Sequence, residues 1–401
     1  MSQRVRYAIQ SILVNALALS SLYHILIYLA NRRFWRQLPP PPPDTAPSIS
    51  AVVPLFGKTL DTLSLLHLLG THRPTDRYEV LLVLESEASP AYVTAREAAE
   101  AYPGTLRIVI GGPAGEHVPA IHALRAGYEA AQGDLIAFVE PDVHITPELW
   151  NAALATLADP AVSAAFAPPL VLEPERRDAV PAPTGGETLV ALHANHARAA
   201  ALPLAALTNR VRAMANGFMI VRRSALQQAG GLTTLLDEAD PAAALGRLLR
   251  AHAQPIAVLP VPAQIVPRRQ STDEGMQRIV HDLAITRVYN PRVFAASPFT
   301  NPLTVGFILG WITEREGRWW GRRTWWGFAA FRLLIAYALD RLRFGRAFNL
   351  AAYAQLFMLD TFVSPVLWLR ALVRRTITTE GRTYRLYRGG QTVPEMPKDA
   401  A

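Results

Sequence analysis

From Tyr7 to Ala30 the chain runs for 24 residues with no formal charge except what His24 can carry, between Arg4 and Arg6 on one side and Arg32, Arg33 and Arg36 on the other. About 20 apolar residues span a bilayer, so this stretch is expected to be a transmembrane helix. A cleaved signal peptide is disfavoured, because the run is too long and is followed by charge rather than by a small-residue cleavage site. The positive charge after the helix favours a cytoplasmic position for the domain beyond it.

The other end of the chain is apolar too. Val293 to Ile312 contains Pro298 and Pro302, Trp325 to Leu339 contains Arg332, and Ala347 to Leu369 contains Asp360. Only the third is comfortably long enough to span. The second, with Trp319, Trp320, Trp325 and Trp326 near it, suits the membrane interface. All links between these stretches are basic, so at least one stretch is expected to be re-entrant or interfacial. A carboxylate inside an apolar segment is costly unless paired, and Arg332 is the partner expected for Asp360. The net charge of +8 is carried almost entirely by arginine. Many of these arginines flank apolar segments, which fits a membrane rather than a nucleic-acid partner. With no cysteine in the chain, disulfides, thiolate metal sites and cysteine nucleophiles are excluded.

Between the ends, Pro39 to Pro43 reads as a stiff spacer. From Ile49 to about Ala167 strands and helices alternate: strands at Ser50–Pro54, Glu79–Leu84, Leu106–Ile110, Leu135–Val139 and Val162–Ala167, with helices at Leu60–Leu69, after Ser89-Pro90, and from Pro119 to Ala131. Repeated βα units imply a doubly wound, mostly parallel α/β sheet. Pro168 to Gly186 reads as a loop. A helix is expected from Thr188 to Leu202, with His193 and His196 on its polar face. A strand at Met219–Val221, a helix stop at Gly230-Gly231, a helix over Ala242–Ala251 and a last strand at Ile256–Pro260 come next. The expected segments are an anchor (1–37), a Pro-rich linker (38–48), an α/β domain (49–292), membrane-associated helices (293–369) and a basic cytoplasmic tail (370–401).

Chemistry concentrates after the strand Leu135–Val139. Glu140-Pro141-Asp142 puts two carboxylates just past its carboxyl end, where open α/β sheets bind ligands. Hard oxygen ligands of this kind suit Mg2+ or Mn2+ holding a nucleotide diphosphate. The same three residues also occur in solvated surface turns. A second acidic cluster, Asp237-Glu238-Ala239-Asp240, precedes a helix, a position that dipole considerations alone would explain.

In order, these features resemble the family-2-like glycosyltransferases, nearest the ceramide glucosyltransferases and bacterial hopanoid-associated enzymes. Ser50 to Gly57 is similar to their first strand and turn, Leu135 to Val143 to the strand with their Asp-x-Asp motif, and Gly217 to Gly231 to the segment before their catalytic aspartate. Gly381-Arg382-Thr383-Tyr384 resembles part of their C-terminal Trp-Arg-Gly-x-x-Tyr segment. The resemblance implies a GT-A-like fold, a nucleotide-sugar donor, a lipid acceptor, a divalent cation (Mn2+ or Mg2+) and a multi-pass position in a bacterial-type inner membrane with the catalytic domain on the cytoplasmic side. It assigns Asp240 as general base, with Asp237 and Glu238 as rivals. Glu140 and Asp142 become metal ligands, and Pro54, Ser89, Glu140, Asp142 and Arg287 contacts to the nucleotide. Several family motifs are altered: Ser89 stands where the family has an aspartate, Glu140-Pro141-Asp142 replaces Asp-x-Asp, Asp240-Pro241 replaces Asp-Asp, and Ala284-Ile285 replaces Arg-Trp. Arg287 or Arg268-Arg269 would then supply the missing positive charge. The alternative expectation is a catalytically silent homologue that keeps the scaffold as a membrane-anchored binding protein. A processive polysaccharide synthase ranks lower, for want of crossing helices and an intact Gln-x-x-Arg-Trp.

Overall fold

A computed structural model describes residues 3–37, 41, 47–55, 73–173, 185–317 and 319–395. The helix expected at Leu60–Leu69, the end of the turn at Gly57 and most of the proline spacer lie outside these residues. The chain divides into two compact units, each assembled from separate stretches. A helical unit holds Met1–Arg36, Glu173–Leu207 and Arg268–Arg374, and a sheet unit holds Gln37–Leu172, Thr208–Pro267 and Arg375–Ala401.

The sheet unit is built on β1 (Ile49–Pro54), β2 (Tyr78–Leu84), β3 (Leu106–Ile110) and β4 (Leu135–Val139), all mutually parallel. After them come β5 (Val143–His144), β6 (Ala164–Phe166), β7 (Pro169–Val171), β8 (Phe218–Arg222), β9 (Ile256–Val258) and β10 (Ala263–Ile265). The seven-stranded sheet has the order β3-β2-β1-β4-β8-β6-β9. β8 runs antiparallel to both neighbours, so the sheet is mixed toward that edge. β4 is buried along its whole length, as a strand covered on both faces requires. Helices Tyr92–Ala101, Pro119–Ala130 and Pro147–Ala158 cover the sheet. The Pro119–Ala130 helix comes so close that a Cβ on Gly127 would sit 2.3 Å from Val52 Cγ1. The opposite core gathers around Trp150, whose ring meets Phe218 edge-on at 5.2 Å; truncating it to alanine would cost about 3–5 kcal/mol.

Two smaller sheets complete the unit. β5, β10 and β7 form one, and β7 lies in the stretch expected as loop. β11 (Thr376–Thr379), β12 (Arg382–Leu386) and β13 (Thr392–Pro394) form the other, within the expected basic tail. The β11–β12 turn uses Glu380 at φ 47° and Gly381 at φ 77°, the paired left-handed conformation of a two-residue hairpin.

The helical unit begins with Gln3–Phe34. Gly185–His193 runs into a π-helical turn, Ala194–Arg198, and then a short 3-10 turn and Leu202–Leu207. Thr272–Tyr289 is opened by a capping box in which the Ser271 hydroxyl accepts from the Glu274 N–H and Glu274 accepts from the Ser271 N–H. Among the described residues, two helices are long and apolar enough to cross a membrane, Arg4–Phe34 and Leu350–Val373, while Pro291–Thr300 and Pro302–Glu314 form a pair bent by 51°. That bend falls where Pro298 and Pro302 interrupt the first C-terminal apolar stretch. Trp320–Phe344 is a single long helix carrying Arg332, Asp340 and Arg343 as buried residues. The ion pair expected between Arg332 and Asp360 is present, Nη2 to Oδ2 at 2.9 Å. His193 and His196 are buried, not on a polar surface. The π-helical turn alters the helical phase just where their three-residue spacing would be used to assign a face.

Candidate active site in the sheet unit

The strand order reverses between β1 and β4: from β1 the chain steps outward to β2 and β3, then returns to place β4 on the other side. Crevices outside the carboxyl ends of strands at such a switch point are where α/β sheets take ligands. Pro54 ends β1 there and Glu140 directly succeeds β4. Both line one hollow of about 50 Å³, together with Asn216, Gly217 and Pro241.

Backbone bonds fix this corner. The Glu140 N–H donates to the Gly217 carbonyl (2.9 Å), the Val143 N–H to the Glu140 carbonyl (3.1 Å) and the Val266 N–H to the Asp142 carbonyl (2.9 Å). Gly217 adopts φ 112°, a conformation open to glycine and strained for other residues. Asn216-Gly217 thus turns the chain into β8 beside the end of β4. The Asn216 amide donates to Asp240 Oδ2 at 2.8 Å. Asp240 is the N-cap of Pro241–Ala251, its Oδ1 accepting from the Ala243 N–H at 2.7 Å. It is half-buried. A carboxylate offers about four lone-pair sites, so these two bonds orient Asp240 and leave it able to accept a proton.

The rivals to Asp240 are otherwise engaged. Glu238 is buried and paired with Arg247. Asp237 is exposed, its Oδ1 2.8 Å from His117 Nδ1, while its carbonyl accepts from the N–H and hydroxyl of Thr392. Ser89 lies in the turn after β2, where its hydroxyl accepts from the Ser86 N–H at 3.2 Å. Neither Ser89 nor Asp142 lines the hollow that Pro54 and Glu140 share. Arg287 belongs to the helical unit, where its guanidinium donates to the carbonyls of Leu372 and Arg374.

Residues that sequence reasoning passed over complete the corner. Asn216 is the link between Glu140's hollow and Asp240, and the Asn-Gly dipeptide before an apolar run was its signal. The C-terminal sheet braces the same region. The Tyr384 hydroxyl donates to the His117 carbonyl (2.8 Å), Arg382 to the Gly115 carbonyl (2.5 Å), and the Ala239 N–H to the Gly390 carbonyl (2.8 Å).

No cluster of three or more metal-capable side chains occurs among the described residues. A cation arriving with a diphosphate needs only one or two protein carboxylates, its other ligands being phosphate oxygens and water. Glu140 and Asp142 are carboxylates of that kind, and of the two only Glu140 lines the hollow.

The fold is similar to that of the mannosyltransferase PcManGT from Pyrobaculum calidifontis, solved with GDP-Man and Mn2+, at 16% identity and TM-score 0.51, covering 91% of this chain and 98% of that one. Glucosyl-3-phosphoglycerate synthase from Mycobacterium tuberculosis, solved with Mn2+, UDP and glucosyl-3-phosphoglycerate, also matches, at 17% identity and TM-score 0.36, over 60% of this chain and 80% of that one. No curated protein sequence matches. The profile of glycosyl transferase family 21 matches residues 12–392, nearly the full length, and the chain belongs to that family.

Proposed function

We propose that this glycosyltransferase moves a sugar from a nucleotide-sugar donor onto the hydroxyl of a lipid acceptor, by direct displacement with inversion at the anomeric carbon. The observation that carries the reading is the corner at the strand switch point, where Pro54, Glu140 and Asn216 share one hollow and Asn216 holds Asp240. Asp240 takes the proton of the acceptor hydroxyl as its oxygen bonds the anomeric carbon. The bond from that carbon to the diphosphate breaks, and the diphosphate leaves with the electron pair. Pro54 and Ser89, at the carboxyl ends of neighbouring strands, lie on the nucleotide's side, and Glu140 with Asp142 would hold the cation. A divalent cation bound there supplies charge neutralisation for the leaving diphosphate. The lipid acceptor is supported by the apolar helices Arg4–Phe34 and Leu350–Val373. A cytoplasmic placement of the sheet unit is supported by Arg32, Arg33 and Arg36 after the first of them.

The test is to incubate membranes containing the protein with a panel of labelled nucleotide sugars, with and without a chelator. Lipid labelling that requires a divalent cation and is lost in Asp142→Ala and Asp240→Asn is expected. Labelling indifferent to both changes would reject the site. If no sugar is transferred and calorimetry finds no nucleotide binding, the silent-homologue reading replaces this one.

A further inference from the structure

We infer that Arg247 and Thr392 are positioning residues for the reaction: by tying segment 237–239 to the C-terminal strands, they hold Asp240 where it can take a proton. The inference rests on Asp240 being the base, as proposed above.

The need for such a restraint is visible on either side of Asp240. Behind it lies the regular helix Pro241–Ala251, whose N-terminus it caps. Ahead of it, after the short 3-10 turn Thr233–Leu235, segment 237–239 belongs to no helix or strand. It meets the rest of the fold through an isolated antiparallel bridge, Glu238 to Gln391. Backbone polar groups need partners, and those of this segment find them at the far end of the chain. The N–H and hydroxyl of Thr392 both donate to the Asp237 carbonyl, at 2.7 and 2.9 Å, and the Ala239 N–H donates to the Gly390 carbonyl at 2.8 Å.

Arg247 completes the connection. It stands about two turns further along the helix that Asp240 caps. Its guanidinium donates to the Gly389 carbonyl and pairs with the Glu238 carboxylate. Glu238 is 5% exposed, and a carboxylate that buried is costly unless its charge is met. One side chain therefore links the helix, the segment leading into it and the C-terminal turn. On the other flank, the Val118 N–H donates to the Leu236 carbonyl at 3.0 Å, and Asp237 Oδ1 lies 2.8 Å from His117 Nδ1. β12 grips that flank as well, because the buried Tyr384 donates to the His117 carbonyl.

The bonds made by the Asp240 side chain do not replace these restraints. Its bond from the Ala243 N–H travels with the helix, and the Asn216 amide holds one oxygen only. Where the chain enters the helix is set by segment 237–239. A base has to come within about 2.6–3.2 Å of the proton it takes, and a displacement of about 1 Å can cost about 10²-fold in rate.

The full-length protein in membranes is assayed with the nucleotide sugar that labels lipid best in the panel above. Arg247→Met should lower kcat about tenfold and Thr392→Val about threefold, with the Kd for the corresponding nucleoside diphosphate unchanged. Thr392→Ser, which keeps the hydroxyl, should restore most of the loss. Combined with Asp240→Asn, neither change should slow the enzyme further, since a base that is absent cannot be misplaced. Unchanged kcat in both variants, full additivity with Asp240→Asn, or a weakened Kd that accounts for the whole loss would overturn the positioning role. Full activity in Asp240→Asn would instead remove the base, so that the failure lies with the proposed reaction. Hydrogen exchange of the peptide 236–244 requires no turnover: it should quicken in both variants, and unaltered exchange would overturn the role even where no sugar is transferred. Thr392→Val, which deletes a single hydroxyl, carries the test should Arg247→Met fail to fold.

Discussion

Asp240 in the sheet unit and Asp360 in the helical unit are the same side chain in opposite settings. Asp240 is half-exposed and held by neutral donors, the Asn216 amide and the Ala243 N–H. Asp360 is mostly buried and faces a guanidinium, its backbone carbonyl anchored by Asn301 and Thr304. Neutral donors orient a carboxylate without cancelling its charge, so it can still take a proton. A buried guanidinium cancels that charge, and the pair becomes part of the frame. The sheet unit therefore keeps an uncancelled carboxylate at its edge, whereas the helical unit uses its Arg332–Asp360 pair to hold helices together.

The largest effect that tests this contrast is on rate. Asp240→Asn keeps a capping oxygen and removes the proposed base, so turnover should fall about 10²–10⁴-fold with the melting temperature nearly unchanged, because asparagine caps as well as aspartate. Asp240→Ala should lose the rate and also about 0.5–2 kcal/mol of stability; equal melting of the two variants would dissolve the distinction between cap and base. In the helical unit Asp360→Asn should cost about 3–5 kcal/mol by leaving Arg332 buried and unpaired, read as a lowered unfolding midpoint. Exchanging the pair, Arg332→Asp with Asp360→Arg, should recover part of that, and no recovery would break the account of a structural pair.

A smaller effect depends on pH. Burial lowers the pKa of His193 to about 4, against the opposing pull of Asp282. The unfolded chain takes up this proton near pH 6.5 and the folded chain only near 4. Stability is therefore complete above about pH 6.5 and is lost as pH falls toward 4, by up to about 3 kcal/mol. Thermal scans between pH 7 and 4 should show this slope, and His193→Gln should flatten it. The smallest change expected is about 1 kcal/mol for Ser271→Ala, which opens the capping box of Thr272–Tyr289.

The strands β1 to β4 are legible because each is a short apolar run bounded by turn residues, and β4 with Glu140 marks the switch point directly. β5, β7 and β10 are not, since strands of two or three residues exist only through partners far away in the chain. The antiparallel sense of β8 is equally hidden in Met219–Val221. In the tail, Thr376–Thr379 and Arg382–Leu386 around Glu380-Gly381 form a hairpin that charge composition masks. The pairing of Arg332 with Asp360 could be read from cost alone. The burial of His193 and His196 could not, because spacing identifies a helical face only while the helix keeps its period. Asn216 escaped attention as a turn residue whose partner, Asp240, lies 24 positions on.

The docking of the last strands has a topological consequence. Tyr384 is bonded to His117 and Thr392 to Asp237, so the residues after Arg375 are stitched into the same folded body as those before Pro267. A bilayer cannot run through a hydrogen-bonded body. The stretch 268–374 must therefore start and finish on one face, traversing the lipid an even number of times or not at all. If Leu350–Val373 passes through, a second passage has to accompany it, and the bent pair is the candidate for it. Because the chain has no cysteine of its own, Glu87→Cys and Glu380→Cys should react with an impermeant maleimide from the same side of sealed vesicles.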